Sequence, residues 1–144
     1  LAIAPNQPLY HNNLAVALGL EDFRREAAAH YKISVDKIPE RALEHFKKSH
    51  KLAPEDFVYA ADLAEAYLSV SPLRKTEARA SWQKTRKLTN DPRQLQWVEL
   101  QVAFLEIEDG QYAEAELLLK KVTDPTLDTL KAKVITAIRA ARTP

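Results

Sequence analysis

The chain has 144 residues, about one domain's length, and its 21 Lys and Arg against 20 Asp and Glu leave a net charge of +1. That near-balance gives no global field for nucleic acid or an anionic membrane. With 46% hydrophobic and 28% charged residues, disorder is not expected. The lack of cysteine excludes disulfides, thiolate metal ligands and thiol nucleophiles, and the two glycines, Gly19 and Gly110, argue against Gly-rich phosphate loops and turn-dense β folds. No apolar run is long enough to span a bilayer.

Ala, Leu, Lys, Arg and Glu dominate, and all are strong helix formers. The eight prolines fall between apolar-periodic stretches, where helices should stop. No stretch alternates with period two, so no strand is expected.

Leu14, Ala15 and Leu18 mark a helix from about Pro8, and Leu20, Phe23, Ala27 and Tyr31 mark a stripe that continues it. Either residues 8–33 form one long helix through Gly19 or the chain breaks there into two; a strict alternation of first and second helices favours the long one. After Pro39, Ala42, Phe46, Ser49 and Leu52 share a face. Residues 55–70 carry Ala60, Leu63, Ala64 and Tyr67, and residues 73–88 carry Ala78, Trp82, Thr85 and Leu88. Residues 93–108 carry Trp97, Leu100, Phe104 and Ile107. Asp109-Gly110 is a turn, residues 112–122 carry Ala115, Leu118, Leu119 and Val122, and a last helix carries Leu127, Leu130, Val134, Ile138 and Ala141. Short connections between helices of this length predict antiparallel neighbours.

The pattern repeats. Ala42, Phe46 and Ser49 recur as Ala78, Trp82 and Thr85, and then as Ala115, Leu119 and Val122, about every 36–37 residues. First-helix marks recur too, since Leu14-Ala15 with Leu18 matches Leu63-Ala64 with Tyr67. Arg41-Ala-Leu-Glu-His-Phe-Lys-Lys-Ser-His-Lys-Leu-Ala-Pro54 looks like a second helix with its closing proline, and Asp109-Gly-Gln-Tyr-Ala-Glu-Ala115 like the turn into another. The chain thus resembles the tetratricopeptide repeat family, whose helix–turn–helix units stack into a right-handed solenoid. Two departures stand out: residues 19–39 exceed the family's turn, and Gln101 occupies a position where the family has a small residue. The resemblance implies an all-α solenoid of antiparallel helix pairs. Residues 6–54, 55–91 and 92–124 would be three repeats and residues 125–144 a capping helix. Residues 1–5 would be the tail of a preceding repeat, which agrees with the absence of Met at position 1 and with a start inside a longer chain.

Chemistry is sparse. His45 and His50 are five residues apart and point to different faces of a helix, and His11 and His30 add no third ligand at metal spacing, so no metal or cofactor is expected. Glu55-Asp56 near a helix start complements its dipole. No serine sits in a nucleophile-elbow context, and the expectation is a non-enzyme.

Binding remains. In the family, first helices line a concave groove. Carried over residue by residue, that groove would present Leu9, Asn12, Asn13, Val16, Val58, Ala61, Asp62, Glu65, Leu95, Val98, Glu99 and Val102. Its apolar surface carries three carboxylates and no Lys or Arg, so it suits a peptide or helix with apolar anchors and basic residues. It does not suit the clamp on a C-terminal carboxylate that some family members build from basic residues and asparagines. Lys47, Lys48, Lys51, Arg86, Lys87, Lys120 and Lys121 would form a basic outer surface for an acidic partner, a filament or an anionic membrane. Nucleic acid is not expected, because no stacking aromatics interleave with these cations. His11-Asn-Asn-Leu-Ala15 and Gly110-Gln-Tyr-Ala-Glu-Ala-Glu116 are also similar to the repeats of kinesin light chains and their bacterial counterparts. That resemblance implies a cytoplasmic adaptor joining a tubulin-like filament or a membrane to its partner.

Overall fold

A computed structural model describes residues 5–144, so most of the expected preceding-repeat tail, residues 1–4, lies outside the described residues. Among the described residues the chain is all-helical, with eight α-helices, two short 3-10 turns and no strand. Contacts divide it into two compact units, Leu1–Ser81 and Trp82–Pro144.

In the first unit, α1 (Pro8–Gly19) opens on a proline whose missing N–H costs nothing at that position. It buries His11, Asn12, Ala15 and Leu18 along one face. The expected long helix does not form. Leu20 is extended (φ −74°, ψ 131°), and α2 (Glu21–Tyr31) starts anew with Glu21 and Asp22 in its first turn, where acidic side chains suit the dipole. The physical reason is burial. The break folds Ala27 and Ala28 onto Ala15, Leu18, Ile38 and Ala42, and they are buried there. The expected α2 stripe is accordingly corrected, because Leu20 and Phe23 are exposed.

The end of α2 is a left-handed cap. Lys32 has φ 56°, its N–H donates to the Ala29 carbonyl, and the Ile33 N–H donates to Ala28. A 3-10 turn, Val35–Lys37, leads into α3 (Ile38–Leu52), which packs against α1, α2 and α4 (Phe57–Ala66). Asp56 caps α4, its Oδ1 accepting the Tyr59 N–H at 3.1 Å, the carboxylate role expected near this helix start. Phe46 joins two clusters: Ala15, Leu18, Ala27, Ala28, Ile38 and Ala42 on one side, Leu43, Leu63, Ala66 and Val70 on the other. Arg74 donates to both carboxylate oxygens of Glu40, at 3.0 and 3.2 Å. α5 (Lys75–Arg86) crosses the boundary between the units.

The second unit is built on α6 (Pro92–Glu108), α7 (Tyr112–Leu119) and α8 (Asp128–Arg142), each packed against the other two. Asp91 caps α6 by accepting the Gln94 N–H at 2.9 Å. Gly110, at φ 73°, is the left-handed residue that ends α6, where a Cβ would be strained. The core joins Leu100, Ala103, Ala115, Leu119, Val122, Leu127, Val134 and Ile138. The stripe expected on the last helix is therefore buried at Leu127, Val134 and Ile138, while Ala141 near its end is exposed. The loop before α8 is tied to α6, since Gln96 Oε1 accepts the N–H groups of Thr123 and Asp124 at 2.7 and 2.8 Å. Trp82 and Trp97 meet edge to face, 5.4 Å between centroids.

Candidate functional site

The first unit contains a cleft of about 280 Å³ walled by α1, α2, α3 and α4. Ala15, Val16, Leu18 and Gly19 come from α1, Arg24 from α2, and Pro39, Ala42 and Phe46 from α3. Asp62, Glu65 and Ala66 come from α4, and Ser69 follows that helix. The cleft thus offers polar and apolar surface in about equal measure, with two carboxylates and one guanidinium among its lining.

Asp62 and Glu65 are three residues apart, so α4 presents them on one face. Burial raises the Asp62 carboxyl above its ordinary value, and Asp56 adds to the effect, while a hydrogen bond from Asn12 opposes it. Burial also raises Glu65, with the Asp62 charge as the second cause. Asp62 is half-buried, and Glu65 keeps part of its surface in solvent. Among the described residues no cation pairs with either. Asn12 is itself 7% exposed, and its Oδ1 is buried without a partner.

Of the groove residues expected from sequence, the cleft brings together Val16, Asp62 and Glu65. Asn12 stands behind Asp62, Asn13 is exposed on α1, and Val58 is exposed at 54% on the first turn of α4. Ala61 is buried and Leu9 is exposed. Val98, Glu99 and Val102 belong to the second unit, as does Leu95. Two of these are corrections: Val98 is fully buried, and Glu99 is buried with Arg86 Nη2 donating to it at 2.7 Å, so neither offers an open surface. α6 is packed on more than one side, which leaves few of its residues for a ligand.

Two members of the basic surface carry carboxylate partners. Arg86 is taken by Glu99, and Lys47 bonds Glu44 at 3.3 Å with its ammonium 6.0 Å from the Tyr67 ring centre. Lys48, Lys51, Lys87, Lys120 and Lys121 are exposed.

Sequence reasoning missed Arg24, Phe46 and Ser69 in the cleft. It also missed a histidine pair, His11 with His45, whose Nδ1 atoms are 3.0 Å apart. The available signal was spacing: the two lie 34 positions apart, as do Glu40 and Arg74, and that is one repeat length of the resembled family. Among the described residues no three His, Asp or Glu side chains gather at metal-binding distance, and no helix is long and apolar enough to cross a membrane. No family model, curated protein or solved structure matches the chain.

Proposed function

We propose that this chain is a non-catalytic protein–protein interaction scaffold, a tetratricopeptide-like solenoid of helix hairpins capped by α8. In this reading the cleft of the first unit holds a peptide or helix with apolar anchors and basic residues. The observation that carries it is the pair Asp62 and Glu65, two carboxylates in one cleft that form no ion pair among the described residues, although Arg24 lines the same cleft. Burial opposes their charge, so an incoming ammonium or guanidinium would gain a charge-assisted contact and relieve that opposition. The apolar walls at Val16, Ala66 and Phe46 suit the alkyl stem of a lysine or arginine and neighbouring apolar side chains.

The test is a panel of amphipathic helical peptides, basic, neutral and acidic on their polar face, titrated onto the chain across a salt series. Basic peptides are expected to bind best, and binding should weaken with salt because the contact is charge-assisted. Asp62→Lys with Glu65→Lys is expected to abolish capture, and Lys47→Glu with Lys48→Glu to leave it intact. Capture lost only with the lysine reversals would overturn this reading in favour of a filament or membrane linker acting through the basic surface. Indifference to both pairs would overturn both readings.

A further inference from the structure

The histidine pair lies where α1 packs on α3, and nothing in the binding reading uses it. His11 is 6% exposed and His45 is half-buried. Their Nδ1 atoms are 3.0 Å apart, their ring centroids 5.3 Å apart, and their planes 22° apart. So wide a centroid spacing across so short a contact means that the rings meet edge to edge, nitrogen to nitrogen.

The protons can be placed. His11 Nε2 lies 2.8 Å from the Pro5 carbonyl oxygen. A carbonyl only accepts, so Nε2 carries a hydrogen, and the neutral ring leaves its Nδ1 bare. The bridging hydrogen therefore belongs to His45 Nδ1, which donates to His11. A chain of bonds thus runs from α3 through both rings to the backbone ahead of α1. A metal in place of the bridging hydrogen does not fit, because two head-on bonds of about 2.0–2.1 Å each need a wider gap than this contact gives.

A first added proton leaves the bridge intact, because one Nδ1 of the pair stays bare to accept. A second can go only to an Nδ1, and two N–H groups then face each other. The surroundings set the bias. From α3, Lys48 and Arg41 repel a charged His45 and Glu44 favours it. From α1 come His11 itself and Tyr10, whose ring stands edge-on to His11 at 5.1 Å. No charged group of α2 or α4 is among those acting on His45.

We propose that His11 and His45 form a proton-operated clasp, which holds α1 and the backbone at Pro5 against α3 until the pair takes up its second proton. The resistance of His45 to protonation agrees with this. Burial first, then the charge of His11, then Lys48 and Arg41, push it down to about 4. As the two rings share one hydrogen, the two steps belong to the pair.

The experiment is ¹⁵N-edited NMR of the ring nitrogens on the intact chain, followed by an acid titration with amide exchange. At about pH 7.5, His45 is expected as the Nδ1–H tautomer and His11 as the Nε2–H tautomer. On acidification, the protection of α1 amides relative to those of α8 should fall about ten-fold as the second proton enters. His45→Phe, which has no donor, should lack that step. Finding His45 as the Nε2–H tautomer, or an acid step unchanged in His45→Phe, would overturn the clasp. Should His45→Phe not fold, the tautomers of the unaltered chain decide alone.

Discussion

Acidification from about pH 7 to about pH 4 should weaken the fold through His45, and the size of the effect can be worked out. The folded value, about 4, lies below the ordinary 6.5, so the unfolded chain takes up the proton first as pH falls. Stability from the neutral ring is thus fully present above about 6.5 and is lost progressively down to about 4. At about 1.36 kcal/mol per pH unit that interval is worth about 3.4 kcal/mol for a ring shielded from water. His45 is only half-buried, and solvent screening reduces the expectation to about 1–2 kcal/mol. Asp62 and Glu65 work in the opposite direction: their folded values are raised, so their contribution is lost as pH rises and regained on acidification. Comparison with His45→Gln removes them, because both chains carry the same carboxylates. Urea unfolding of the two chains should show the unaltered chain's advantage shrinking by about 1–2 kcal/mol between about pH 7 and about pH 4. A difference that stays constant across that interval refutes the reasoning.

Other expectations follow from the same physics. Asp62→Asn and Glu65→Gln should raise the thermal midpoint at neutral pH, and less so in acid, while weakening capture of basic peptides; calorimetry with peptide titration checks both. Lys32→Gly should stabilise the chain by about 0.5 kcal/mol, because Lys32 holds a left-handed conformation that glycine adopts freely. Gly110→Ala should cost about 1 kcal/mol through the backbone alone, since nothing lies within 4 Å of the added Cβ. Arg86→Ala should cost about 2–3 kcal/mol in denaturant melts by stranding the buried Glu99 carboxylate. Arg142→Ala, which breaks a pair with both side chains nearly half exposed, should cost under about 1 kcal/mol.

The candidate site was partly legible before any coordinates. Asp62 and Glu65 could be named because their helix announces itself: Asp56 caps it, and Leu63 and Ala64 mark its buried side, leaving the carboxylates on another. Val98 and Glu99 were misplaced because the face of α6 that looks free on a helical projection is covered in the fold. No local pattern reports which of two flanks a neighbour will occupy.

The order of residues by itself determined an all-helical chain, interrupted at its prolines, with a core along Ala15, Leu18, Ala60, Leu63, Leu100, Val134 and Ile138. Those features depend on apolar spacing along one helix and on a missing N–H, both contained within a few neighbouring residues. Only the tertiary structure decided that the chain breaks at Leu20, that Arg24 enters the cleft of Asp62 and Glu65, and that His11 meets His45. Each depends on the gain from burying or pairing groups far apart in sequence, and that gain exists only once separate helices are packed together.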